Sequence, residues 1–322
     1  MKKFIALVVA VIMILTFVGC SNENTGSTDG NSSQNSSGSA TNTDNSSSQV
    51  SSSANGTSSS QSSSSSNSSS NSTSVDKQVY EDMNRTLVEG KGEAWTLANT
   101  YKKLTEDKEL TIAYFGGSVT VGTGSTSGNS WREKTTKWFK QNYRDAKITE
   151  VNAAIGGTGS TYGYQRLKKD ILKKEPDLVF IEFAMNDVYE SVTQTKAAAN
   201  IDAIIRNINE YDPEIDIVLV FITSEGNVKL DYLVKQGHRH VAEYYGVPYI
   251  DVGNAMRDEL QETGNEWSHY FGDVVHPNDT GYQIYFDEIV KNLKSWLDSA
   301  KTATPKPHVL NKTPSVTYPY GK

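Results

Sequence analysis

Hydrophobic and polar positions along this chain fall into two repeating patterns. Five short runs are almost continuously apolar: residues 110–115, 148–154, 178–183, 215–223 and 247–252. Runs of that length without alternation read as strands buried on both faces, which is how parallel strands sit. Between them lie stretches whose apolar residues recur three and four apart, the spacing of amphipathic helices. Trp131, Trp138 and Phe139 share one such face, behind Ser130-Trp131-Arg132-Glu133, which has the form of a capping box. Tyr164, Leu167, Ile171 and Leu172 repeat the spacing, as do Ile201, Ile204, Ile205 and Ile208. Tyr282, Tyr285, Ile289, Leu293 and Trp296 mark a final helix. Strand and helix units in alternation predict an α/β fold, a doubly wound parallel sheet with helices on both faces.

The flanks carry different patterns. Lys2 and Lys3 precede an apolar run over 4–18, shorter than the roughly 20 residues a membrane span needs. It ends in Phe17-Val18-Gly19-Cys20, then Ser21, and reads as a bacterial lipobox in which Cys20 becomes the lipidated N-terminus; the alternatives are an ordinary signal peptide or an uncleaved anchor. Cys20 is the only cysteine, so the mature chain has no internal disulfide and no cysteine-based zinc site. Two or three acyl chains hold a protein firmly to a membrane, at about 0.8 kcal/mol per buried methylene. Residues 21–75 are dominated by Ser, Asn, Gly, Thr and Gln, with too little apolar surface to offset ordering entropy. They are expected to form a disordered tether with a reach on the order of 40 Å. One domain is expected over 76–301, beginning with a helical or irregular addition. A tail over 302–322, with Pro305, Pro307, Pro314 and Pro319, is expected to be extended, packing on the surface or fraying.

Composition narrows the class. The domain is long enough for a sizeable core. A net charge of −7 with no basic stripe makes nucleic acid an unexpected partner.

Candidate chemistry lies in four segments far apart in sequence: Gly116-Gly117-Ser118-Val119-Thr120, Asn152-Ala153-Ala154-Ile155-Gly156-Gly157, Ala184-Met185-Asn186-Asp187 and Asp273-Val274-Val275-His276-Pro277. The first three each follow a predicted strand, and ligands of a doubly wound sheet bind outside the carboxyl ends of its strands. In order they offer a nucleophile, a backbone donor, a side-chain donor, and an acid with its base. Gly116 and Gly117 permit a sharp turn, and free N–H groups at a following helical start favour developing negative charge. The three-residue spacing of Asp273 and His276 lets the carboxylate reach Nδ1–H and leaves Nε2 free. Each segment taken alone has a plainer reading. Gly-Gly-Ser is a common turn, Asn186 suits an Asx-turn, and the last segment suits a polar loop before a helix. Gly156-Gly157-Thr158-Gly159 could cradle a phosphate, but it misses the Gly-x-Gly-x-x-Gly spacing and does not follow the first strand.

Together the four segments resemble the SGNH (GDSL-type) hydrolase superfamily, from about Leu110 to about Trp296. The resemblance implies a flavodoxin-like five-strand order. It implies Ser118 as nucleophile, the Ser118 and Gly157 N–H groups with Asn186 as oxyanion donors, and His276 as base oriented by Asp273. The chain departs from the family pattern at Gly117, where many members have Asp, and at Ala184, where Gly is common; neither change removes a catalytic atom. The expected activity is that of a serine esterase without metal or cofactor. Through an acyl-enzyme it would release a short acyl group, acetyl above all, from a carbohydrate. The competitors are a lipase- or thioesterase-type hydrolase, a cell-wall O-acetyltransferase, and a non-catalytic glycan-binding lipoprotein. Tyr162, Tyr189, Trp267 and Tyr270 sit on loops at strand ends as candidates for a substrate pocket, or as ordinary loop packing. No long apolar lid segment is visible, which argues against long-chain lipids. His238 and His240 form a His-x-His pair lacking a nearby third metal ligand, His269 lies near the last segment as a candidate pocket residue, and His308 lies in the tail. The expected location is the extracytoplasmic face of the cell membrane, held by lipid on Cys20.

Overall fold

Each apolar run becomes a strand of one parallel sheet in the computed structural model, which describes residues 86–317. The lipobox with Cys20, the Ser/Asn-rich stretch over 21–75 and residues 318–322 lie outside the described residues. The strands are β2 (Glu109–Gly116), β3 (Lys147–Asn152), β4 (Leu178–Glu182), β5 (Asp216–Phe221) and β6 (Tyr249–Asp251), in the order β3-β2-β4-β5-β6. β4 and β5 are buried along their whole length, so their continuous apolar runs fill both faces. The edge strand β3 alternates, and the last run is a strand only over its middle; Val252 already belongs to the next helix.

The helices are α1 (Ala98–Lys102), α2 (Ser118–Val121), α3 (Trp131–Asn142), α4 (Ser160–Asp170), α5 (Ala184–Tyr189), α6 (Gln194–Tyr211), α7 (Leu233–Tyr245), α8 (Val252–Thr263), α9 (Trp267–Tyr270) and α10 (Asp279–Ala300). They pack in two sets. α10 lies against α1, α3 and α8, while α6 lies against α4 and α7. The capping box forms as drawn, with Ser130 and Glu133 exchanging side-chain-to-backbone bonds. Ile201, Ile204, Ile205 and Ile208 of α6, and Tyr282, Tyr285, Ile289 and Leu293 of α10, are fully buried. Tyr164 is the exception to the periodicity. It is exposed, because α4 turns Leu167 and Arg166 inward instead and ends at Asp170.

The flanks of the domain are more ordered than their composition implies. β1 (Thr86–Leu87) pairs antiparallel with β7 (Val316–Thr317), so the described part of the tail is tied to the N-terminal addition. His308 is buried. Its ring stacks on Trp95 at 3.7 Å, and its Nε2 lies 2.7 Å from Asp216 Oδ1 at the start of β5. The boundary expected after residue 301 is therefore not an edge of the folded unit.

The chain order reverses between β2 and β4. β2 is followed by its neighbour on one side, β3, and the chain then crosses back to place β4 on the other. The crevice at that switch point, outside the carboxyl ends of the strands, is where such sheets bind ligands. Ser118 and Asn186 follow β2 and β4 respectively.

Candidate active site

β2 ends at Gly116, and Gly117 caps α2 in an extended conformation, so Ser118 is the first residue of the helix. As the first residue of the helix, it has a backbone N–H without an intrahelical partner. The turn is crowded. A Cβ on Gly117 would fall 2.0 Å from Asn186 Oδ1, and a Cβ on Gly116 would fall 2.3 Å from Thr120 Oγ1. The Asn186 amide thus lies across the residue before Ser118, in the space that a side chain at 117 would need. That leaves no room at 117 for the aspartate that the family resemblance implies in many members.

The second segment comes to the same point by a different route. β3 ends at Asn152, and the chain runs on through Ala153 to Thr158 as a loop. Ile155 N donates to Gly116 O at 3.0 Å, and a Cβ on Gly156 would meet the Ser118 Cβ at 3.7 Å, so Gly156 lies beside the serine. Gly157 takes a left-handed conformation, φ +70°, with open space where a Cβ would be. Its N–H is therefore unshielded at the rim.

The fourth segment forms a closed loop between α9 and α10. Phe271 bridges to Pro277, and Gly272 N donates to His276 O. Inside the loop, Asp273 Oδ1 accepts from the backbone N–H groups of Val275 and His276, each at 2.8 Å. Oδ2 lies 2.7 Å from His276 Nδ1, and His276 Nε2 lies 2.8 Å from Ser118 Oγ. With Nδ1–H donating to the carboxylate, Nε2 accepts from the serine hydroxyl. Partial burial pushes the Asp273 carboxyl up, but the bonds from the His276 side chain, the His276 N–H and the Val275 N–H outweigh it, and the group titrates below the usual aspartate range. Asn278 closes the loop by capping α10 through Thr280 N and Gly281 N.

The four segments thus meet around Ser118. The other candidates divide. Tyr162 and Tyr189 are about half exposed, on α4 and at the end of α5 respectively. Trp267 instead supports the histidine loop from behind: its ring stacks on Phe271 at 3.6 Å, and its Nε1 donates to Asp273 O at 2.7 Å. Tyr270 is corrected outright as a pocket residue. It is 2% exposed, and its hydroxyl donates to Glu259, because α9 turns it toward α8. His269 is exposed, and its carbonyl accepts from Asn278. His238 and His240 do not act as a pair. His238 is buried with Nε2 2.9 Å from Asp187 Oδ2, whereas His240 packs near Tyr244, one helical turn further on. Among the described residues no cluster of three or more His, Cys, Asp and Glu is arranged to hold a metal.

Several residues that shape the site escape sequence reasoning. Asp187 Oδ1 accepts from Ser160 N and Glu190 Oε1 from Gly159 N, so α5 fastens the loop bearing Gly157. Arg166 donates to Ala153 O and Gly116 O, joining the ends of β2 and β3. Glu182, the last residue of β4, accepts from Thr120 Oγ1 at 2.8 Å. It is 1% exposed, and burial pushes its carboxyl up to about 8; the Thr120 and Gly117 bonds oppose the rise and Asp187 adds to it. The one available signal for Glu182 was a carboxylate within an otherwise apolar strand.

The pattern of the GDSL-like lipase/acylhydrolase family matches residues 114–284, from within β2 to within α10. No curated protein matches the sequence. Among solved structures, a two-domain esterase (CEX) active on acetylated mannans shares 27% identity and a TM-score of 0.58, over 70% of this chain and 59% of that one. The same likeness holds for its crystal form with mannopentaose. The chain therefore spans well under two thirds of that esterase. LAE5, an alpha/beta hydrolase enzyme from the metagenome of Lake Arreo, Spain, is 17% identical with a TM-score of 0.50, covering 58% of this chain and 96% of its own, a likeness of fold alone.

Proposed function

The chain belongs to the GDSL-like lipase/acylhydrolase family, and from that premise we propose that it is a serine esterase that removes short acyl groups, acetyl above all, from a carbohydrate. The observation that carries the reading is the unbroken proton path from Asp273 Oδ2 through His276 to Ser118 Oγ, with contacts of 2.7 and 2.8 Å.

The chemistry follows from those contacts. His276 Nε2 takes the Ser118 proton as Oγ attacks the ester carbonyl. Asp273 holds the ring in the tautomer with Nδ1 protonated and stabilises the imidazolium that forms. The carbonyl oxygen gains charge and is met by the Ser118 N–H, the Gly157 N–H and the Asn186 amide. His276 then gives its proton to the departing sugar hydroxyl. Water, deprotonated by the same nitrogen, adds to the acyl-enzyme, and release of the carboxylic acid restores Ser118.

Two observations favour a small acyl group on a bulky alcohol. The site is shallow: the Asp273 side chain is 53% exposed, and Gly157 lies open at the rim. Tyr162 and Tyr189, which follow two of the site segments in sequence, are outward-facing, which suits stacking on sugar rings rather than enclosing a long chain. The acetylated-mannan activity of the 27% identical esterase supports the same choice. The N-terminal sequence supports a place outside the cytoplasm, with the domain held at the membrane by lipid on Cys20 and standing off on its Ser/Asn-rich tether.

The test is a series of p-nitrophenyl esters of rising chain length beside acetylated mannan and xylan, run with wild type and Ser118→Ala. Acetate release from the polysaccharides, with turnover falling as the chain lengthens and lost in the variant, is expected. Full turnover by Ser118→Ala refutes the nucleophile; preference for long acyl chains refutes the substrate class.

A further inference from the structure

Glu182 is a carboxyl group in a place that does not suit a charge. β4 is buried on both faces, and the register that pairs Gly116 with Glu182 sets this side chain beneath the turn carrying Ser118. One oxygen, Oε2, accepts from the Thr120 hydroxyl at 2.8 Å, and the Gly117 backbone N–H acts on the carboxyl from the other side of the turn. Those two donors straddle the nucleophile, one on the residue before it and one two residues after. The other oxygen, Oε1, is buried without a hydrogen-bond partner. A charged carboxylate would leave that oxygen bare in the interior, whereas protonation removes the charge and leaves only a neutral O–H without a partner, the smaller cost.

We propose that Glu182 is a positioning residue that serves as a neutral acid, holding the Gly117–Thr120 turn under Ser118, and that its deprotonation disables the site. The inference deepens the esterase reading above and rests on it for its kinetic consequence. An ionised Glu182 sets negative charge beneath the Ser118 N–H, where the transition state also gathers negative charge, so the loss falls on turnover rather than on substrate binding.

The groups around it define what else titrates. Asp187 faces it from α5, paired with His238. Tyr232 ahead of α7 and Tyr282 and Tyr285 of α10 also interact with it, and burial raises all three phenols above their ordinary value. Asp251 acts on Tyr232 and Tyr285 and is itself bound by Lys235. Arg132 of α3 reaches only as far as the Thr120 carbonyl. The tyrosines stay protonated in the range where burial sets Glu182, at about 8. An alkaline loss of activity centred there therefore reports Glu182.

The experiment compares kcat and KM on a short-chain ester from about pH 6 to about pH 10 for wild type, Glu182→Gln and Glu182→Ala, with spontaneous hydrolysis subtracted. Wild-type kcat is expected to fall about tenfold per pH unit above its midpoint, with KM little changed. Glutamine, neutral and of the same shape, restores most of the neutral-pH turnover and lacks the alkaline fall; alanine loses at least about tenfold at every pH. The same alkaline fall in Glu182→Gln overturns the proposal. A second measurement covers a variant that does not fold. In Ser118→Ala protein, infrared spectra with 13C-labelled glutamate are expected to show a carboxylic-acid C=O band at neutral pH that vanishes on alkalinisation, and its absence overturns the proposal. The band present without any wild-type turnover sinks the esterase reading instead and leaves a neutral Glu182 standing.

Discussion

Gly117 offers the sharpest perturbation of the site, because it changes one atom and its consequence is geometric. Its φ of −94° lies in the extended region, so alanine there introduces no left-handed strain. The added Cβ, however, falls 2.0 Å from Asn186 Oδ1 and 2.7 Å from Asn186 Cγ, where real contacts keep at least 3.0 Å. The Asn186 amide must give way by about 1 Å or rotate to another rotamer. A displacement of that size from a reacting atom costs on the order of 10²-fold, and full loss of one oxyanion donor costs about 2.7–4 kcal/mol. Gly117→Ala is therefore expected to lower kcat by about 10²- to 10³-fold while KM changes little. Steady-state kinetics on a p-nitrophenyl acetate substrate measures it, with fluorophosphonate labelling to count intact Ser118. The decisive comparison is a double-mutant cycle with Asn186→Ala. Once Asn186 is truncated, the collision is gone, so Gly117→Ala adds almost nothing on that background. Full activity in Gly117→Ala, or independent and additive losses in the cycle, would refute the assignment of Asn186 as the displaced donor.

Further outcomes follow from other parts of the structure. Asp273→Asn removes the charge that orients His276 and favours the wrong tautomer, so kcat is expected to drop by about 10⁴-fold, with only a small fall in melting temperature at neutral pH; a loss under tenfold would mean that the dyad does not operate. Because the Asp273 carboxyl titrates below its ordinary value, its contribution to stability is present above the unfolded-state value and fades only as pH falls through the lower folded-state one; acid melts of wild type and Asp273→Asn, compared pairwise, should converge there. His308→Ala leaves Asp216 Oδ1 buried without its partner and is expected to destabilise by about 1–3 kcal/mol while kcat stays within twofold, since this pair lies at the opposite ends of the strands from Ser118; denaturant melts and the ester assay check both halves. Cys20→Ser should move activity from the membrane fraction to the medium or to an unprocessed precursor, and activity that still sediments as mature protein would contradict lipid anchoring.

Local pattern carried a large part of this molecule. A strand buried on both faces needs continuous apolar residues, and a surface helix needs them at three and four, so the five strands, the long helices and the capping box at Ser130 were legible from order alone. The parallel alternation also dictated that Ser118, Gly157 and Asn186 end up at one edge of the sheet, and the Asp-x-x-His spacing is short enough for a single turn to close. Tertiary packing decided the rest, because it depends on neighbours that no local window contains. Tyr270 and Tyr162 are both aromatic residues that the sequence places on strand-end loops; the turn of α9 against α8 makes the first a core residue, while the second stays exposed on α4. The tail reads as proline-rich and extended, packing on the surface or fraying; which of the two holds is decided by Trp95, Asp216 and the strand at 86–87, which bind it from positions more than 90 residues away. Gly117 reads as a departure from a family pattern until Asn186 is seen in the space its side chain would fill. Glu182 reads as an oddity in an apolar strand until the register with Gly116 sets it under the nucleophile, where the same burial that makes a charge costly makes a neutral acid a fixed support.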